Sequence, residues 1–512
     1  MPNPDSQHDP MRVDETDVFP EPVDCDLVPD IWRQLANETV MFPMKMDDVA
    51  LKIGPERQLF VDNLLIASTA NLTKQVHQPR PHQDHPVLAA CDEDPRVQVL
   101  HVMQFDESPR FRMWYWSGDD WHAWGENEEI RWATSYAVSE DGIEWSRPDL
   151  DLHRIDGWPE KNIVMPYGFM HGLFYEPWES DPQKRFKALV CVERRDRKTM
   201  HRSAPRAYYL HTSPDGIHWQ GNLSRGVIPQ SHRYRYPANG IGDTTRFWWD
   251  TYRKKYMGDV KWVLPGKLRC RGMMESDDLI HWTRPHPTLF AKAQDSQIYG
   301  HRGYPYQGMY IGLRWLYRPG LDIHRCNHAM DVELDCSRDA QIWTRVCSGQ
   351  KFMPFRGTWD GWSAKPSAML EVGDEIWIYY TAKGGPEYRK HHDTHHGWSA
   401  GLVKLRRDGF VSLNAAIHQG HLVTRPLGFS GSRLHVNAEI QAGGFLRVGL
   451  RGLDNQQAIG GYAVADAVPM SKSSINHLVT WQDGADIRPQ PDADIRLEFQ
   501  MENAKLYAFW ID

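Results

Sequence analysis

One motif recurs along the chain and limits the folds open to it. SEDGIEW runs from Ser139 to Trp145, SPDGIHW from Ser213 to Trp219, SDDLIHW from Ser276 to Trp282 and SRDAQIW from Ser337 to Trp343. RRDGFVSL, around Asp408, is a fifth and degenerate copy. Successive copies lie roughly 60–75 residues apart, the scale of one four-stranded propeller blade. Asp-Gly is a hairpin turn signal, because glycine accepts positive φ and aspartate bonds its own backbone. The tryptophan that follows begins the outer strand and packs between blades.

The segments around these turns carry strand patterns. IRWATSYAV, APRAYYLHT, KLRCRGMME and MDVELDC precede the four turns. RFRMWYW, RFKALVCV, KKYMGDVKW, GMYIGLRWLY and EIWIYYTA lie before those or lead into the fifth copy. All alternate or run continuously in aromatic and β-branched residues, and long helical periodicity is absent. Five blades are expected, at roughly 88–150, 160–222, 238–290, 295–350 and 360–413. From about Gly420 the pattern shifts to FLRVGLRG, GGYAVADAV and DIRLEFQMENAKLYAFWI, short antiparallel strands with glycine-rich turns. The expected fold is all-β: an N-terminal arm over 1–55, a five-bladed β-propeller over 56–413 and a C-terminal β-sandwich over 414–512. The stretch Arg57–Leu88 is expected to hold a strand that closes or braces the propeller.

Composition narrows the function. The chain holds 22 tryptophans. Most are expected to fill blade cores, although an indole face can also stack on a sugar ring. A formal charge of −8 argues against nucleic acid as a partner, since a phosphate backbone calls for a concentrated basic surface. No apolar run approaches the roughly 18 residues of a membrane span, so no membrane partner is expected. The polar, acidic N-terminus lacks the features of a secretory signal and suggests a cytoplasmic protein. Seven cysteines without a CxxC pair suggest reduced thiols rather than disulfides or zinc.

In a propeller the innermost strand of each blade lines a central channel. Those strands are expected to begin near Pro95, Phe169, Gly242, Ser296 and Ser363. Glycoside cleavage needs two carboxyl groups across the scissile bond. Glu93 or Asp94 on blade one, facing Asp243 on blade three, could supply them, with Asp295 and Asp360 next in line. His171, Gln297, Tyr299, His301, Arg302, Trp359 and Lys365 are candidates for binding substrate, with His395 and His396 from the HHDTHH loop. That loop is glycine-flanked rather than helical, so it suggests a substrate-binding or solvated loop and not a catalytic metal site. A single structural cation in the channel stays open, and no cofactor is called for. The turn acids Asp141, Asp215, Asp277 and Asp339 recur in every blade and are expected to be scaffold.

Several stretches resemble a known group. RQLFVDNLLI, RFRMWYW with YAVSEDGIEW, QIYG…PYQGMYIGLRWLY, GDEIWIYY, LVKLRRDGFVSL and the closing RLEFQMENAKLYAFWI are similar to bacterial glycosyl hydrolase family 32-like proteins, over roughly residues 56–512. The resemblance implies a five-bladed propeller with a C-terminal sandwich, related to families 32 and 43. Those families draw one acid from each of the first three blades, which Glu93 or Asp94 and Asp243 match by position. Blade two departs, with Tyr167 to His171 and then Glu176 where an aspartate is implied, and the WMNDPNG-type motif is missing. The expectation is a glycosidase acting on a terminal sugar of a small carbohydrate. A non-catalytic sugar-binding propeller and a glycoside phosphorylase are the alternatives. The sandwich lacks an exposed aromatic row and is expected to serve packing or homo-oligomer formation.

Overall fold

The computed structural model describes residues 49–512 except 92–95, 119–128, 131, 156–158, 193–194, 197–206, 230–243, 265–267, 292–296, 318–329, 355–358, 362, 385–397, 454–456 and 488–493. The described part is all-β, with one 3-10 turn at Pro182–Lys184. Five antiparallel blades follow one another along the chain. From the inside outward, blade one is built from Gln98–Gln104, Phe111–Gly118, Trp132–Ser139 and Ile163–Met165. Blade two uses Gly168–Tyr175, Phe186–Val192 and Ala207–Ser213, with two short outer segments. Blade three uses Arg246–Asp250, Lys255–Leu264, Leu268–Ser276 and His286–Leu289. Blade four uses Gln297–Tyr306, Met309–Tyr317, Met330–Ser337 and Thr344–Arg345. Blade five uses Ser363–Val372, Glu375–Lys383 and Ser399–Arg406.

The inner strands pack in a ring, each against those of the neighbouring blades, and blade five meets blade one. The second strands are therefore buried on both faces, which is why they read as continuous apolar runs rather than alternating ones. Every residue of Met309–Tyr317 is buried. The outer strand of blade five comes from the start of the chain: Arg80 and Pro81 pair with Lys404 and Val403. This pairing covers an edge that would otherwise be left open on the last blade.

The repeated turns share one geometry. The carboxylate of Asp141 accepts from the backbone N–H of Ile143 and Glu144 at 2.8 and 2.9 Å, and the Trp145 indole donates to the Gly142 carbonyl. Asp215 and Asp339 repeat it in blades two and four. In blade three the acid is Asp278, one residue later than the sequence alignment placed it. Asp277 is instead a surface group paired with Lys255 at 2.9 Å. The residue after each acid has positive φ, from 61° to 79°, whether glycine, Leu279 or Ala340. The preceding blade latches onto the turn: Tyr379 donates to the Gly142 carbonyl at 2.6 Å, and Trp114 to that of Gly216 at 2.7 Å. A Cβ on Gly142 would lie 2.6 Å from that tyrosine oxygen, so the glycine there also makes room for the neighbouring blade.

The C-terminal sandwich is organised on two long strands, Leu434–Arg451 and Arg496–Ile511, paired along their length and broken by bulges. Leu413, Leu422, Val448, Phe499 and Phe509 belong to its separate core. Gln58–Leu59, Ile66–Ala70 and Thr73–Val76 also pair into this sheet, as does Val411–Ala415. Residues 58–76 thus belong by pairing with the C-terminal strands rather than with the propeller range expected for them. The fifth turn copy has a different task. The buried Asp408 accepts from Arg57 Nη1 at 2.8 Å, Tyr306 Oη at 2.7 Å and Asn437 Nδ2 at 2.8 Å. One carboxylate so ties the N-terminal segment, blade four and the sandwich together.

Candidate functional site: the propeller channel

The inner strands are not regular. Register shifts occur between Val99 and His101, Met170 and Gly172, Ile298 and Gly300, and Pro366 and Ala368. Four of the five inner strands therefore bulge within their first six residues. A bulge re-aims the side chains after it and breaks the local ladder, which frees carbonyls for other donors. Here Met170 O accepts from His101 Nε2 at 3.2 Å, and Ser367 O accepts from Arg302 Nη1. The carbonyl of Thr245, just before the inner strand of blade three, accepts from His171 Nδ1 at 2.7 Å.

Cations from several blades meet at this level. Lys365 on blade five is held well below the ordinary lysine range by burial, and then by Lys383, Arg96 and Arg246. Arg246 on blade three is pushed down to about 10 by burial and then by Arg302 of blade four. His101 on blade one is held well below the usual histidine range by burial, and then by Arg302 and Arg246. Blades one and three are not neighbours in the ring, nor are three and five. Groups on them can act on one another only across the axis. Among the described residues no carboxylate forms an ion pair with Arg246, Arg302 or Lys365.

Aromatic faces carry these cations. The Lys365 ammonium lies 3.7 Å from the ring centre of Trp398, and the Lys383 ammonium 4.7 Å from it. Arg96 lies 4.4 Å over Trp116, which stacks on Phe169 at 4.5 Å. Arg246 lies over Trp315 and Arg302 over Tyr304. The arrangement keeps positive charge in a low-dielectric setting, where an arriving anion is attracted far more strongly than in water.

The sequence candidates separate into groups. Glu93, Asp94, Asp243, Asp295, His395 and His396 lie outside the described residues. Lys365 and Tyr299 come together, the Tyr299 ring lying 5.8 Å from the Lys365 ammonium, and Arg302 reaches the Ser367 carbonyl two residues beyond Lys365. His171 lies on the side of His101, with its ring against Phe169 and Tyr208. Gln297 accepts from Arg269 at 3.0 Å at the seam of blades three and four. His301 belongs elsewhere. It is fully buried, bonded to Asp259 at 3.0 Å and 3.5 Å from Asp335, and those acids hold Arg271 and Arg314. This network glues blade three to blade four. The bulge at Ile298–Gly300 is the reason: it sends Arg302, not His301, to the side of Tyr299. Asp360 also leaves the site. It accepts from Tyr380 Oη and borders a cavity of about 270 Å³ with Arg80, Met353, Ala364 and Val403, toward the outer strand of blade five. Trp359 stacks on the same tyrosine. Arg246, Lys383, Arg96, Trp398 and His101 were not singled out from sequence, although Arg246 lies only three residues after Asp243.

No family model matches the chain, and no curated protein sequence matches it. Solved structures do. A glycoside hydrolase aligns with a TM-score of 0.44 at 13% identity, over 64% of this chain and 94% of its own. The catalytic domain of a family 62 α-L-arabinofuranosidase from Coprinopsis cinerea aligns with a TM-score of 0.41 at 11% identity, over 64% and 97%. A structure from family 130, described as mannoside phosphorylases that include hydrolases of β-1,2 mannosidic linkages in Candida mannan, aligns with a TM-score of 0.40 at 11% identity, over 65% and 94%.

Proposed function

We propose that the chain is a glycoside hydrolase that removes a terminal sugar from a small oligosaccharide or glycoside. The observation that carries the reading is the meeting of polar side chains from four blades at one bulged level of the channel. Asp243, next in sequence to Thr244, and Glu93 or Asp94, just before Arg96, are the proposed carboxyl pair, with Asp295 as the remaining candidate. A cationic channel favours the ionised form of one carboxyl, as nucleophile or base. The partner must keep its proton to assist the leaving group, and burial is the usual means. His101 and His171 are second candidates for proton transfer or for hydrogen bonds to sugar hydroxyls. Aromatic faces at Trp116, Phe169 and Trp398 suit the apolar face of a pyranose or furanose ring. Asp360 and His301 are left out of the proposal, because Asp360 accepts from Tyr380 and His301 is bonded to Asp259.

The same cations favour a second reading. Inorganic phosphate could replace water as the acceptor of the glycosyl group, with Arg246, Arg302 and Lys365 holding the oxyanion. Aryl-glycosides and oligosaccharides, assayed with and without phosphate, separate the two. Hydrolysis independent of phosphate supports the first, and a sugar phosphate product supports the second. Sugar binding without turnover on any glycoside would leave a binding propeller and sink both. Asp243→Asn is expected to lower turnover by at least a hundredfold, in the range of general acid–base catalysis. Full activity in that variant would refute the assignment.

A further inference from the structure

A second cavity lies at the other end of the inner strands. Its volume is about 370 Å³, and its walls come from the far ends of all five: Val102 and Phe105, Leu173 and Glu176, Trp248 and Trp249, Arg302 and Tyr304, and Leu370. The size is that of a small-ligand site, and convergence of separate elements on one space is typical of such sites. The proposed carboxyl pair belongs instead to the segments that precede the inner strands.

Three of the side chains that border this cavity hold buried polar atoms without a hydrogen-bond partner: Trp248 Nε1, Arg302 Nε and Tyr304 Oη. Such atoms are uncommon in folded proteins, and each costs on the order of 1–3 kcal/mol. All three can donate, so together they suit an acceptor. Arg302 adds a positive charge that has no acidic partner among the described residues. The wall's own acid does not neutralise it, because Glu176 is bound to Lys187 at 2.7 Å and accepts from Tyr256. The outer part of the cavity is aromatic. Phe105 and Tyr175 lie 5.2 Å apart, and Trp249 lies 5.9 Å from the exposed Trp178. An apolar wall above a cationic, donor-rich floor matches a ligand with one ring and one oxyanion.

We infer that this cavity is a binding site for a monosaccharide-sized ligand bearing an oxyanion, either a uronate or a sugar phosphate. The oxyanion sits on Arg302, with Tyr304 and Trp248 donating to it or to a ring hydroxyl, and the ring lies against Trp249 and Tyr175. The site shares Arg302 with the channel cations but not the proposed carboxyl pair, and it does not depend on the hydrolytic reading.

Titration calorimetry on the full chain tests this with glucuronate, galacturonate, glucose 6-phosphate, inorganic phosphate and glucose as probes. A uronate or the sugar phosphate is expected to bind at least tenfold more tightly than glucose. Whichever binds better identifies the oxyanion. Tyr304→Phe and Arg302→Gln are each expected to weaken that binding about tenfold or more, the scale of one hydrogen bond to a charged group. Thermal unfolding of both variants shows whether the fold is kept, and Trp249→Leu is a third variant that leaves the donors in place. Asp243→Asn is expected to leave the affinity unchanged, which separates this site from the proposed hydrolytic one. No binding by any charged probe overturns the inference, with water then the only occupant. Glucose binding as tightly as the charged sugars, or affinity indifferent to all three cavity variants, overturns it as well.

Discussion

Lys365→Met is expected to stabilise the fold and to weaken function. The side chain is 7% exposed and has three cations as neighbours. Its compensation is the Trp398 face at 3.7 Å, worth roughly 0.5–2 kcal/mol. Replacing a buried ion pair or triad with apolar residues of similar volume is often neutral or gains about 1–4 kcal/mol, and a buried cation without an acidic partner is expected to gain on the same scale. At the midpoints of the two ranges the difference favours methionine by about 1 kcal/mol. The sign with pH follows from the direction of the shift. Between the depressed folded value and 10.5, the unfolded chain holds a proton that the folded chain has shed. Wild-type stability attributable to Lys365 therefore rises with pH across that window, by up to about 1.4 kcal/mol per pH unit, and the penalty is gone above 10.5. The advantage of methionine should be largest at low pH and shrink toward pH 10.5. Urea unfolding followed by tryptophan fluorescence, from neutral pH to pH 10.5, measures both quantities. A variant less stable than wild type at neutral pH, or one with an unchanged pH slope, would refute the argument that the fold leaves a proton on Lys365 uncompensated.

Gly142→Ala is expected to cost about 1–2 kcal/mol from its left-handed backbone alone, and more from the Tyr379 contact. A lower thermal midpoint checks it, and an unchanged one would show that the latch between blades five and one is dispensable. Asp408→Asn keeps the shape and tolerates φ of 61°, so it removes only the charge that Arg57, Tyr306 and Asn437 share. A loss of about 3 kcal/mol is expected, seen as a lower urea midpoint, with the contact of sandwich and propeller loosened. His77, bonded to Ser412 at 2.7 Å, is pushed down to about 4 by burial and then by Lys505. Its contribution is complete above pH 6.5 and is lost as pH falls through about 4, so His77→Gln should flatten the acid side of the stability profile.

The repeat was the most legible feature, because its chemistry is local. A carboxylate that caps a turn, a residue at positive φ and a tryptophan three or four residues after it need no distant partner to be recognised. The slip in blade three shows where local reading ends. SDDLIHW offers two adjacent acids, and only the bonds to Ile280 and His281 select Asp278. The N-terminal strands were harder, being two to five residues long and stabilised by partners more than 300 positions away. Pairing of that kind leaves little periodic trace in a sequence.

The channel was half legible for one physical reason. Alternation along a strand predicts that Gln297, Tyr299 and His301 share a face, and a single bulged residue cancels that prediction for everything after it. The cost of the bulge is a broken ladder, and its result is that Arg302 reaches the Ser367 carbonyl and the cations of the axis while His301 drops between blades three and four. A bulge leaves no mark in the sequence of a strand as regular as QIYGHRGYPY beyond its glycines. Gly300 supplies one such mark. A Cβ there would lie 2.3 Å from the Trp315 ring, and that ring also underlies Arg246 at 5.4 Å. The same tryptophan therefore requires the glycine and supports a channel cation, which joins the irregularity of the strand to the chemistry of the site.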